Sequence, residues 1–146
     1  VTLYAHFPTR EALVEGVVAR VIERVRVALE DARLDEGPAV EALDRLTAIG
    51  WDHLDRGGGI ARSAADVLTP AAMERAHRAL HEPIGALIRR GQASGEFRDD
   101  LTVEWLLATY FAIMHAAGEQ LRAGALASAD AVGVLQPTLR SVFKAP

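Results

Sequence analysis

Apolar residues recur at steps of three and four along nearly the whole chain, and no stretch alternates apolar with polar residues as a half-buried strand does. That period restricts the chain to helices, each burying one stripe. Leu13, Val14, Val17, Val18, Val21, Ile22, Val25 and Leu29 form the first stripe, with Arg20, Glu23, Arg24 and Arg26 off it. Thr9 is placed to cap this helix, and Glu11 lies in its first turn, where a negative charge suits the dipole. The helix ends before the break at Asp35-Glu36-Gly37-Pro38. Pro38 opens a second helix, where its missing N–H costs nothing. Val40, Leu43, Leu46, Thr47, Gly50, Trp51 and Leu54 occupy more than half of that helix's circumference, which predicts a central position.

Arg56-Gly57-Gly58-Gly59 predicts a stop to the second helix, followed by a short one from Ile60 to Leu68. The triplet carries no lysine and follows a helix, so it does not read as a phosphate-binding loop. Thr69 and Pro70 then supply a cap and a first-turn proline for a helix running to about Ser94, with Pro83 predicting a kink. Thr102 caps the next helix. Val103, Leu106, Leu107, Tyr110, Ile113, Met114, Ala117 and Leu121 form one face of it; Ala108, Ala112 and Ala116, with Trp105 nearby, form another. A helix apolar on two faces is covered on two sides. Ser128 or Asp130 starts a last helix carrying Val132, Leu135, Leu139, Val142 and Phe143, interrupted at Pro137. The fold class expected is an all-α helical bundle of about six helices with short connections.

Composition narrows the chemistry. With 50% hydrophobic residues and a net charge of -4, the chain can bury a core and does not read as disordered. It has no cysteine, which removes disulfides, thiol nucleophiles and Cys-ligated metals. The mild negative charge opposes a nucleic-acid backbone unless positive groups gather locally. No apolar run reaches the roughly 20 residues of a membrane span, and no secretory leader opens the sequence, so a cytoplasmic protein is expected.

The segment Thr2-Leu3-Tyr4-Ala5-His6-Phe7-Pro8-Thr9-Arg10-Glu11-Ala12-Leu13-Val14 resembles the end of the recognition helix, and the start of the following helix, in TetR-family transcriptional regulators. The pattern Leu-Tyr-x-His-Phe-x-Thr-Arg-Glu-x-Leu carries the resemblance. It implies a remnant of a helix-turn-helix domain over 1–8 and a helical regulatory domain over 9–146, including a connecting helix over 9–33. The family's first two helices and the opening of its third are absent from this sequence, so operator binding is expected of a longer product. The resemblance makes Tyr4, His6, Thr9 and Arg10 phosphate-contacting positions, with Thr2 nearer the groove. Packing or capping is the alternative for each, and Thr9 caps its helix in either case. It further implies a homodimer formed through the last two helices, an operator DNA partner, and an unidentified small-molecule effector bound in the helical body.

The regulatory body is then expected to hold a pocket, mostly apolar with a few fixed polar groups. Trp51, Leu54, Met73, His77, Leu80 and Ile84 supply that mixture from the middle helices, with Leu106, Thr109, Tyr110 and Ile113 facing them, although each residue also has a plain core reading. For the dimer, the expected interface residues are Val103, Leu107, Met114 and Leu121 on one helix, and Leu135, Leu139, Val142 and Phe143 on the last. No catalytic constellation assembles: no serine sits in a nucleophile elbow, and Asp99-Asp100 reads as capping. His77 and His81, four apart on one helix face, are the competing feature. They could chelate a divalent metal, yet the glutamate that a metalloprotease places between its histidines is missing. The expectation is a non-enzymatic, ligand-responsive regulator requiring no cofactor, with a helical metal or small-molecule protein built on His77 and His81 as the alternative.

Overall fold

The computed structural model describes residues 9–145, and for residues 57–67, 70 and 72–77 the backbone alone. Five helices follow in order: α1 (Arg10–Asp31), α2 (Ala39–Val67), α3 (Pro70–Ala93), α4 (Val103–Arg122) and α5 (Ser128–Phe143). Among the described residues the only extended pairing is an isolated antiparallel bridge between Phe97 and Lys144. The fold is the expected all-α bundle, with five helices in place of about six.

Local chemistry explains most of the boundaries. Thr9 caps α1 by accepting the amide of Ala12 at 3.1 Å, and Thr102 caps α4 by accepting that of Trp105 at 3.2 Å. Pro70 opens α3 at the position where proline costs least. The glycine triplet, however, does not end α2, which runs unbroken to Val67 and absorbs the separate short helix. Glycine lowers helix propensity by about 1 kcal/mol per residue but keeps its N–H, so the backbone ladder can continue through it. Pro83 and Pro137 likewise lie inside continuous helices, α3 and α5.

Helix α2 is the central element, packing against α1, α3, α4 and α5, as its broad apolar circumference implies. The core gathers Leu43, Leu46 and Trp51 of α2, Leu80, Ile84, Leu87 and Ile88 of α3, Leu106, Tyr110 and Met114 of α4, and Leu135, Leu139 and Phe143 of α5. Two close approaches fix its geometry. At Gly50 a Cβ would stand 2.7 Å from the Tyr110 hydroxyl and 3.2 Å from the Met114 methyl, so glycine sets how near α4 comes to α2. At Gly91 a Cβ would stand 2.1 Å from the Phe97 ring, which packs edge-on against Phe143 at 5.4 Å. Arg140 of α5 pairs with Asp44 of α2 on the surface. No helix among the described residues is long and apolar enough to cross a membrane.

Candidate ligand pocket and connecting-helix junction

Trp51, Leu80, Ile84, Leu106 and Tyr110 are all members of the buried core cluster that fills the protomer, with Leu54 and Ile113 packed against it. Trp51 is only 4% exposed, and its indole N–H has no hydrogen-bond partner. A buried donor left unmatched costs about 1–3 kcal/mol, so this atom is the polar point of an otherwise apolar interior. The Tyr110 hydroxyl lies 3.4 Å from the Leu46 carbonyl, a long bond to which it donates. Burial pushes its pKa well up, so the phenol stays a neutral donor. Thr109 is half-buried, and its hydroxyl donates to the Trp105 carbonyl one turn back at 2.8 Å rather than into the cluster. The side chains of Met73 and His77 fall outside the described residues.

His81 is half-buried, with its ring 5.5 Å from that of Phe111. Among the described residues, no three His, Asp or Glu side chains gather as metal ligands; the His77 side chain is not among those described. Asp100, read from sequence as a cap, instead takes both its oxygens to the Arg98 guanidinium at 2.7 Å.

Sequence reading missed a groove elsewhere and the polar junction beside it. A groove of about 810 Å³ opens between the C-terminal half of α1 and α3. Leu29, Leu34, Pro83 and Leu87 contribute its apolar lining, and Arg26, Glu30, Arg33, Asp35, Glu82 and Arg90 its charged part. None of the eight expected pocket residues whose side chains are described lines it. Most of those charges are already matched: Arg26 pairs with Glu23 and Glu30, Arg33 with Glu36, and Glu82 with Arg89.

At the end of this groove, the α1–α2 loop is held by side chains from three other places. Arg45 of α2 donates to the carbonyls of Ala32, Arg33 and Glu36 at 2.8–3.0 Å. Arg90, in the last turn of α3, donates to those of Gly37 at 2.7 Å and Leu34 at 2.8 Å. These carbonyls belong to a helix end and its exit, where backbone acceptors lack helical partners. Glu96, beyond α3, caps α2 from across the fold by accepting the amides of Ala39 at 3.0 Å and Val40 at 3.2 Å. The Ala39 amide, with help from that of Val40, the Ser94 hydroxyl and the nearby Arg90 charge, holds the Glu96 carboxyl below the usual carboxylate range. The Gly37-Pro38 break marked this loop in the sequence, but no local pattern marks a partner 53 to 57 residues away.

Residues 46–136, more than half of the chain, match the family described as Transcriptional regulator SbtR-like, C-terminal domain, a TetR-type domain. The chain belongs to the TetR family of transcriptional regulators. Solved TetR-type structures share its fold. A putative TetR-family regulator from Rhodococcus sp. superposes with a TM-score of 0.70 at 19% identity, over 97% of this chain and 79% of that one. The TetR-like regulator LfrR from Mycobacterium smegmatis, in complex with proflavine, gives 0.72 at 18% identity, over 96% and 76%. A protein of unknown function from Rhodococcus sp. RHA1 gives 0.76 at 17% identity, over 95% and 75%. No curated protein matches the sequence.

Helix α1 covers the segment expected from the sequence as a connecting helix over 9–33. Thr9 is its N-cap and Arg10 its first residue, both exposed, while Thr2, Tyr4 and His6 lie outside the described residues. On the last two helices the large apolar residues expected at a dimer interface face inward. Met114, Leu135, Leu139 and Phe143 are buried in the protomer's own core, and Val103, Leu107, Leu121 and Val142 pack against it. These four buried residues are a correction: α4 and α5 must first cover α2, and the bulkiest residues go there. What faces outward is lighter. Trp105, Ala108, Ala112 and Ala116 follow one line of α4, and Val134, Pro137, Thr138 and Ser141 one line of α5, all exposed and uncharged.

Proposed function

We propose that this chain is the effector-binding and dimerising body of a TetR-type, ligand-released repressor, and that it catalyses no reaction. The observation that carries the reading is the buried cluster around Trp51, whose unmatched indole N–H offers one directional hydrogen bond to an effector in an apolar interior. The site suits a flat, mostly apolar molecule with an acceptor atom. The proflavine held by LfrR, a planar aromatic amine, is of that shape, and LfrR shares the fold over 96% of this chain.

The dimer forms through the outward lines of α4 and α5. Trp105, 62% exposed, and Val134, 50% exposed, stand among small uncharged residues that let a second copy approach closely. A stable interface of this kind buries at least about 1,000 Å² in total. Two DNA-reading heads must then sit roughly 34 Å apart to meet successive turns of the duplex, with Thr9 and Arg10 at the α1 N-terminus contacting phosphate. Effector binding in the body alters the pose of α1 and thereby that spacing.

The test uses the two tryptophans. Trp105→Phe leaves Trp51 as the one indole, and its emission is followed while proflavine and other planar aromatics are titrated. Saturable quenching or a spectral shift, lost or weakened by Leu80→Phe in the same background, supports the pocket. No saturable response from any compound overturns it. Sedimentation of the parent chain should give a dimer at micromolar concentration and Ala112→Arg a monomer; a monomeric parent removes the dimer.

A further inference from the structure

We propose that Arg90 is a positioning residue that sets the register of the connecting helix α1 against α3, through the paired bonds of its guanidinium to Leu34 and Gly37. The use of this register in regulation rests on the reading above; the register itself does not.

The α1–α2 loop is tied to its surroundings by two arginines. Arg45 is close in sequence to the carbonyls it holds and belongs to the helix that the loop leads into. It therefore ties the end of α1 and the loop to α2, without reaching α3. Arg90 is different. It reaches back 53 and 56 residues, from the last turn of α3, and its two terminal nitrogens take two separate acceptors. A planar fork with two partners fixes orientation as well as distance, which a lysine ammonium on a flexible stem does not.

Helix α3 is placed to use that fork. It packs against α1, α2 and α4, and its Leu80 and Ile84 belong to the same buried core as Trp51. Ile84 and Arg90 are six residues apart, about 9 Å along the axis. A shift of α3 there thus carries the Arg90 fork, and with it the carbonyls of Leu34 and Gly37 in the loop that follows α1. The Arg90 Nε is buried without a partner, so the guanidinium is sunk into the junction instead of lying over it. Helix α1 has 22 residues, about 33 Å, so a tilt of about 10° at the junction moves residue 20 by about 3 Å and Thr9 by about 6 Å.

A purely stabilising staple would be lost without a change in where α1 points, and the cysteine-free chain allows that to be measured. Nitroxide labels at Arg20→Cys and Ala93→Cys, both exposed positions, report the α1–α3 separation by pulsed electron resonance. Labelled chain is diluted with unlabelled chain to remove distances between protomers. The parent should give one narrow distribution. Arg90→Lys should broaden it or move its centre by about 2–4 Å, the displacement that a tilt of this order gives residue 20. Asp44→Ala, which breaks the α2–α5 ion pair with Arg140 away from the junction, should lower the melting temperature and leave the distribution narrow. If Arg90→Lys does not fold, Arg90→Met, which keeps the stem and drops the buried unmatched N–H, gives the same readout. A parent-like distribution in the folded Arg90 variant, or equal broadening in Asp44→Ala, overturns the inference. No effector is present, so this failure leaves the pocket reading standing, and an unresponsive Trp51 leaves the register standing.

Discussion

Replacing Gly50 with alanine should destabilise the protein, and removing one oxygen from Tyr110 should reverse the sign of that effect. The added Cβ would lie 2.7 Å from the Tyr110 hydroxyl, about a full ångström inside ordinary contact, and 3.9 Å from the ring carbon that bears it. Tyr110 is 3% exposed, so the phenol has little room to retreat. Overpacking of this kind costs about 1–3 kcal/mol, and alanine returns about 1 kcal/mol through helix propensity. The expected net loss is up to about 2 kcal/mol. At about 2.1 cal/mol/K per residue, the unfolding entropy of a chain this long makes 1 kcal/mol worth about 3 °C. Gly50→Ala should therefore lower the midpoint by up to about 6 °C. In the Tyr110→Phe background the nearest atom is gone, Met114 at 3.2 Å can swing its terminal methyl, and the same change should be neutral or stabilising by up to about 1 kcal/mol. Thermal unfolding followed by circular dichroism, at matched protein concentration, gives the full cycle. Equal effects in both backgrounds, within about 0.5 kcal/mol, would refute the account of how α2 and α4 cross.

Two further outcomes follow from the junction and the core. Glu96→Gln should cost about 1 kcal/mol at neutral pH, as loss of a helix cap does. Because folding depresses the Glu96 pKa, its contribution is present above the ordinary carboxylate value of 4.5 and is lost as pH falls through the folded value; the two proteins should converge in stability once pH lies below that folded value. A gap that persists there would contradict the charged cap. Gly91→Ala should be worse than Gly50→Ala, because the Cβ would meet three ring atoms of Phe97 within 2.6 Å and that ring is held by Phe143. A midpoint within about 2 °C of the parent's would show that the Phe97 ring is free to move.

Helix order, caps and the central place of α2 were legible because each has a local cause: Thr9, Thr102 and Pro70 act within one turn, and the breadth of the α2 stripe counts its neighbours. The family was legible from Leu3 to Leu13, a dense motif. The glycine triplet misled because propensity is a weak local term, and the surrounding helix continued through it. On α4 and α5, residue size did not say which apolar face belongs to the protomer; the alanine line with Trp105 was visible, but the larger residues were given the outward role. Arg45, Arg90 and Glu96 could not be found by pattern, since their partners are backbone groups in a loop, which have no sequence signature. Seven of the ten residues expected at a pocket lie in or against the hydrophobic core, as their plain core reading also has it, since apolar helix faces converge on a common centre.

The most direct test is the operator affinity of the full gene product, measured at fixed salt with and without a compound that shifts Trp51 emission. The account predicts that saturating compound weakens operator binding by roughly 5- to 150-fold, the range of a 1–3 kcal/mol coupling, and that Arg90→Lys shrinks this ratio. Identical operator affinity in the two conditions, with the compound demonstrably bound at Trp51, would contradict it.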